Sequence, residues 1–259
     1  MNMQLSNHPN MNIPEHIPTA DFHDERIALA NWFPVIEDLD VPTPETHALP
    51  LDHDREGMPG WDTEKAKEIV EDLGGEAFIR SDFKSASHSL HAGSYINEPS
   101  DEVVDNTIAE LISQHVMMQM PLGGQIYLRE WLDLEWCLYS RHNLHPEVRI
   151  FIRDGEVVCH HPRNDWSDIN GPESEFFDNA VDIIERAWDD TLQPYAKQVA
   201  EEFDDEWYSV DFVLTTNGNW FCTDMAIDAL YERDDEWHGI SDHSTQCEHN
   251  IETLAGLNK

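Results

Sequence analysis

Two segments in the second half of the chain alternate apolar and polar residues around a tight-turn dipeptide. EVRIFIRDGEVVCHH is centred on Asp154-Gly155, and WYSVDFVLTTNGNWFCTD on Asn217-Gly218. Alternation around Asp-Gly or Asn-Gly predicts β-hairpins. Between them, SEFFDNAVDIIERAWDDTLQPYAKQVAEEF predicts a long helical region that Pro194 kinks or breaks. Upstream, DTEKAKEIVEDLGG predicts a helix capped by Asp62, running to about Leu73 and ended by Gly74-Gly75. EAFIRS predicts a short strand, and DFKSASHSLHAG a Ser- and Gly-rich loop. A second helix is expected after Ser100, with Asp101 and Glu102 in its first turn, ending near Met118. GQIYLREWLDLE predicts a strand that leaves its sheet near Asp133. Further upstream, ALANWFPVIEDLD reads as a short helix, followed by an extended VPTPET segment stiffened by Pro42 and Pro44. Residues 1–20 are polar and predict a loose arm; residues 236–259 read as a polar tail with no assigned element.

Composition changes this picture in one respect. The 259 residues carry 53 acidic and 15 basic side chains, a formal net charge of -38. Low hydrophobicity with high charge can mean disorder, but nine Trp, ten Phe and six Tyr lie within the periodic segments. The acids are scattered along the chain, which predicts an acidic surface adapted to a salt-rich cytoplasm, where the Debye length is ~3 Å at 1 M salt. An acidic protein that docks on a basic partner is the alternative. No basic stripe of the kind that duplex binding needs is present. No apolar run has the length of a membrane span, and the first residues do not read as a signal peptide. Cys137, Cys159, Cys222 and Cys247 stand far apart among apolar residues, which predicts reduced core cysteines rather than a zinc site.

The hairpins then place chemistry. A two-residue turn at Asn217-Gly218 sets Asp211 directly opposite Asp224 on one face. Opposed like charges are destabilising, so the pair calls for a cation or a shared proton, and Mg²⁺ favours one or two carboxylates plus phosphate oxygens. Two solvated acids are the plain alternative. A two-residue turn at Asp154-Gly155 sets Arg149 opposite His160, with Arg153 two positions along the same face. Arg149 can clamp a phosphate or carboxylate, or simply pair with acidic neighbours. Adjacent His160 and His161 point to opposite faces, which argues against zinc. The Ser-rich loop after Arg80, with Lys84 and Ser85, can wrap phosphates, although it lacks the glycines of the familiar phosphate-loop motifs.

Taken in order, these elements resemble the ATP-grasp superfamily, with the nearest likeness to divergent members similar to the cell-division-cycle 123 proteins and compact viral or prokaryotic forms. NWFPVIEDLDVPTPET is similar to the segment that precedes the nucleotide domain, EAFIRSDFKSASHS to the strand and phosphate loop, IYLREWLDLE to the adenine hinge, EVRIFIRDGEVV to a basic hairpin, and SVDFVLTTNGNWFCTD to the metal hairpin. The resemblance covers about residues 30–230. It implies an α+β fold whose two subdomains clamp ATP, within a domain of residues 61–235 preceded by a segment at 21–60. It further implies that Arg80, Lys84, Ser85 and Arg149 meet phosphates, that Glu130, Trp131 and Leu132 lie along the adenine, and that Asp211 and Asp224 hold Mg²⁺. Lys84 and Arg149 would be the catalytic cations. His160 and Arg163 are assigned to the substrate by position alone. The implied activity is ATP-dependent ligation of an unidentified carboxylate to an amine, or less often a thiol, through an acyl phosphate, with a protein or peptide as one conceivable acceptor. Two departures bear on this. Ala226 stands where the metal motif usually has Asn, with Asp228 further on, and Arg80 stands where Lys is common. They leave two alternatives: a non-catalytic ATP-binding assembly factor, and an acidic interaction protein that binds no nucleotide.

Overall fold

Strand and helix placement follows from which residues can share a core. The computed structural model describes residues 25–53, 59–83, 94–118, 120–135, 138–139, 143–163, 172–204 and 207–227. The arm, the tail, Lys84, Ser85, Asp228, Cys137 and Cys247 lie outside the described residues.

The first sheet is built from β1 (Thr46–Pro50), β2 (Ala77–Ser81), β3 (Tyr95–Ile96) and β4 (Gln125–Glu130), in the order β1-β4-β2-β3. Its pairings are antiparallel. Ala77 and Ile79 of β2, Ile126 and Leu128 of β4, and Leu49 of β1 pack against α2 (Thr63–Asp72) and α3 (Asp101–Met118). The caps of α2 are those expected: the Asp62 carboxylate accepts from the Lys65 backbone N–H at 3.0 Å, and Gly74 and Gly75 both take φ of +97° beyond its end. Because side chains alternate along a strand, Arg80, Tyr127 and Arg129 are left on the opposite face.

The second sheet is built from β7 (Glu147–Arg153), β8 (Glu156–Pro162), β9 (Trp207–Leu214) and β10 (Trp220–Ile227), in the order β10-β9-β7-β8. Between the sheets in sequence lies a small ladder of β5 (Leu138–Tyr139) and β6 (Asn143–Leu144). Val148, Ile150 and Ile152 of β7 share a core with Tyr208, Val210, Phe212 and Leu214 of β9, with α4 (Pro172–Ala187) and α5 (Gln193–Glu202), and with Leu29, Trp32, Phe33 and Ile36 of α1 (Leu29–Glu37). The long helical region is interrupted as Pro194 predicts. Five residues, Trp188–Leu192, wind as a π turn before α5, with the proline in the first turn of α5. Pro42 and Pro44 keep residues 41–45 outside regular structure, and the strand that the sequence reading did not resolve, β1, begins directly after them.

Both hairpin registers differ from expectation. The second hairpin closes with a three-residue turn, Thr216–Gly218, with Thr215 N–H donating to Asn219 O at 3.0 Å, so Trp220 faces Leu214. A β-bulge between Cys222 and Asp224 then shifts the ladder back by one residue. The two offsets cancel, and Asp211 does face Asp224. In the first hairpin the Asp154-Gly155 turn is as expected, with φ of 49° and 78°, but a bulge after Ile152 moves every later pair. Arg149 therefore faces His161 and not His160.

Candidate functional site

Across the second sheet, on the face turned away from α4 and α5, one row of residues runs over four strands. His161 pairs with Arg149, Arg149 with Asp211, and Asp211 with Asp224. From the first sheet, Arg80 reaches this row: its Nη1 donates to Asp224 Oδ1 at 2.9 Å. Arg129 also crosses the gap, with Nη1 donating at 2.7 Å to the carbonyl of Thr223, the bulged residue. Segment 131–135 leaves β4 and ties to the tip of the other sheet, where Thr216 N–H donates to Asp133 O and Glu135 N–H to Leu214 O. The site is thus a cleft between two sheets, with residues 131–135 along one end.

Within it Asp211 is the most constrained group. Arg149 grips it with two bonds of 2.7 Å, and Arg163 Nε adds a third at 3.0 Å. Burial alone would raise its carboxyl pKa, but the Arg149 charge and hydrogen bonds, with help from Arg163, hold it below the usual value. Burial likewise opposes the Arg149 charge, yet Asp211 outweighs it and that pKa is raised. Asp224 differs: its side chain is 49% exposed while that of Arg80 is 3% exposed, and both hydrogen bonds to Asp224 fall on Oδ1, from Arg80 and from the Met225 backbone.

Arg129 is the residue that the sequence reading missed. It is buried, its Nη2 has no partner among the described residues, and burial together with the neighbouring Arg80 charge brings its pKa down to about 9. The signal was the alternation in QIYLRE, where Ile126 and Leu128 face the core and Tyr127 and Arg129 must face the cleft. Asp82, two residues beyond Arg80, was missed too. It accepts from Tyr127 Oη at 2.8 Å and from Ala30 N at 3.2 Å, while its carbonyl accepts from Leu29 N. It thereby caps α1, whose own N-cap residue, Ala28, offers no side-chain bond. Burial raises the Asp82 pKa against these bonds. Gly123 packs on it: at φ +83°, a Cβ there would sit 2.9 Å from Asp82 Cβ and closer still to the carboxylate. Gly123→Ala should therefore lower unfolding free energy by about 2 kcal/mol, the φ > 0 strain adding to the clash. A urea titration that finds less than half that loss would show that the Asp82 loop gives way.

The remaining expected residues fall into place unevenly. Glu130 accepts from the Glu45 backbone at 3.3 Å, Trp131 lies against Tyr95 with ring centroids 4.1 Å apart, and Leu132 is partly exposed. Arg153 is drawn to the turn, its guanidinium 3.4 Å from the centre of the Trp207 ring. His160 lies on the helix side of the sheet, stacked on Trp188 at 3.6 Å and bonded to Glu185. It lines a separate cavity of about 650 Å³ between β8 and α5, so its expected place beside Arg149 is corrected. Cys159 and Cys222 are buried free thiols, as expected.

The donor set suits a ligand with several anionic oxygens. Arg80, Arg129, Arg149 and Arg163 converge against Asp211 and Asp224, four of the chain's 15 basic residues. Guanidinium groups match phosphate and carboxylate oxygens, and the orphan Nη2 of Arg129 offers one further donor. For a divalent cation, Asp224 is the open ligand and Asp211 the committed one. No cluster of three or more metal-ligating side chains occurs among the described residues, so a cation here would draw most of its ligands from the bound anion and water. No helix among the described residues is long and apolar enough to cross a membrane.

Comparison with known proteins bears on the fold. A family model described as an ATP-grasp domain, the third family of its clade, matches residues 71–223. No curated protein matches the sequence. Among solved structures, the chain is similar to the D-alanyl-alanine synthetase A of Vibrio cholerae (11% identity, 78% of this chain and 55% of that one, TM-score 0.46). It is similar also to the ATP-grasp ligase PsnB complexed with minimal precursor, Mg and ADP (11%, 89% and 56%, 0.43). A third is the N5-carboxyaminoimidazole ribonucleotide synthetase of Thermotoga maritima (14%, 78% and 42%, 0.42). The chain spans about half the length of these structures.

Proposed function

Since the chain belongs to this ATP-grasp domain family, we propose that it binds ATP with Mg²⁺ between its two sheets and uses them to join a carboxylate to an amine. The observation that carries this reading is the convergence of four arginines from both sheets on a cleft of an otherwise acidic chain. Arg80, Arg129 and Arg149 bind phosphate oxygens in this reading. Lys84 and Ser85 add contacts from the loop after Arg80, and Glu130, Trp131 and Leu132 lie along the base. Asp224, with Asp211 behind it, faces the cation, which when bound neutralises phosphate charge. Arg163 is one-third exposed and orients the substrate carboxylate; His160, on the helix side, has no part in this. A carboxylate oxygen bonds to the γ-phosphorus as the bond to the β–γ bridging oxygen breaks and ADP leaves. The amine then bonds to the acyl carbon, phosphate departs with its electron pair, and the nitrogen loses a proton. These arginines contribute positioning and charge neutralisation.

A second reading is favoured by one observation. At Ala226, two residues beyond Asp224, the backbone carbonyl accepts from Ser209 Oγ and the methyl side chain offers no metal ligand. A chain that binds Mg–ATP without turning it over, as an assembly factor for another protein, fits that loss. In either reading the acidic surface suits a salt-rich cytoplasm, and no nucleic acid is implied. The test is the thermal midpoint in molar KCl. Mg–ATP at about 100 times its Kd should stabilise by about 2.7 kcal/mol, with the gain lost in Asp224→Asn. An unchanged midpoint in the parent would leave only an acidic protein that docks on a basic partner. Sustained phosphate release with a carboxylate and an amine separates the ligase from the assembly factor.

A further inference from the structure

The cleft holds two arginine–aspartate pairs of opposite character. Arg149 and Asp211 are both buried, joined by two bonds, and steadied by Arg163. Arg80 and Asp224 share a single contact, between a guanidinium that is 3% exposed and a carboxylate that is 49% exposed. The deep cation cannot follow its partner into water, whereas the acid can turn outward at little desolvation cost. Arg129 lies beside this pair with one nitrogen short of an acceptor, so two buried guanidinium groups share one half-open carboxylate.

We propose that Asp224 stands in for a ligand oxygen on Arg80 while the cleft is empty, and that loading exchanges this internal pair for two external ones, an anionic oxygen on Arg80 and a divalent cation on Asp224. This rests on the nucleotide reading above and adds a rule to it: the cleft takes the polyanion and the cation as a set. A polyanion arriving alone must displace Asp224 and leave a carboxylate facing phosphate oxygens. A cation arriving alone draws Asp224 away and strips the buried Arg80 of its counter-charge. Together they leave every charge matched. The exchange uses the bulge at Thr223, whose extra residue keeps Asp224 on the cleft face after the three-residue turn and whose carbonyl anchors Arg129.

The test is calorimetric titration of the full chain in molar KCl, with ADP plus chelator, Mg²⁺ alone, and both. Asp224→Asn frees Arg80, so metal-free ADP should bind about tenfold more tightly than to the parent, while added Mg²⁺ should no longer help. In the Arg80→Met background, Asp224→Asn should give no such gain, because the freed cation is gone. A gain that persists there is simple relief of repulsion and overturns the exchange, as does a change within about twofold in the single variant. Arg80→Gln replaces Arg80→Met where the latter does not reach the parent's far-ultraviolet dichroism. ADP that binds neither parent nor variants, with or without Mg²⁺, removes the nucleotide reading itself, a result distinct from tight Mg–ADP binding without the exchange.

Discussion

Asp211→Ala will lower unfolding free energy by about 3–5 kcal/mol, the range for removing one partner of a buried ion pair. The substitution leaves Arg149, 7% exposed, without the acceptor of two 2.7 Å bonds, and Arg163 without its own. The loss comes from the stranded charge and not from the net worth of the pair. Replacing both partners, Arg149→Met with Asp211→Leu, should therefore recover most of the stability while abolishing nucleotide binding. Acid gives a second readout. The folded-state pKa of Asp211 lies below its ordinary 3.8, so its contribution is complete above that value and is lost as pH falls through the depressed one. The single variant should lack this acid-limb component. Urea unfolding at fixed KCl across that range would measure both effects, and a loss under about 1 kcal/mol at neutral pH would mean that water enters and solvates Arg149.

The sequence carried the pairing of Asp211 with Asp224 through two errors that cancel, and the reason lies in WFCTDMA. Trp220 and Cys222 face the helix-side core, and so does Met225, so the apolar spacing lengthens by one between Cys222 and Met225. A regular strand cannot place residues 222 and 225 on one face; a bulge can. Had that break been weighed against the regular spacing of Tyr208, Val210, Phe212 and Leu214, the longer turn and the bulge would have followed together. EVVCHH offers no such signal, because Val157, Val158 and Cys159 form an unbroken apolar run on an edge strand. The bulge there could not be placed, and His160 was set on the wrong face. Element boundaries were legible where caps are local, as at Asp62 and Gly74-Gly75. The cap of α1 was not, since it comes from Asp82, 52 positions away.

A similar limit explains why the acidic composition pointed away from the site. Net charge describes the surface, and the four arginines of the cleft are a minority of the 15 basic residues. Their convergence depends on which faces of the two sheets meet. Strand alternation places Arg80 and Arg129 on one face and Arg149 on another, but only packing brings the faces together. The strong negative field outside and the local positive cleft inside have a shared consequence: in low salt the chain repels a nucleotide at long range, and in high salt that repulsion is screened while the contacts within the cleft persist.

Arg129→Met will separate function from stability. A buried guanidinium with an orphan nitrogen and a pKa brought down to about 9 is an expensive group, and replacement of buried charge by an apolar side chain is often neutral or stabilising by about 1–4 kcal/mol. Against this, the Thr223 carbonyl loses its donor, which costs about 1–3 kcal/mol, and Thr46 Oγ1 loses a contact of 3.1 Å. The two sides nearly cancel, so the variant should unfold within about 1 kcal/mol of the parent. Its Mg–ADP affinity should nevertheless fall by about tenfold or more, because a charge-assisted bond to phosphate oxygen contributes about 1.5–3 kcal/mol. A purely structural latch between the sheets gives the reverse: lower stability and an unaltered Kd. Stability costs of this kind persist in folded proteins where function requires them, and the unpartnered nitrogen of Arg129 is such a cost placed in the cleft where the two sheets meet.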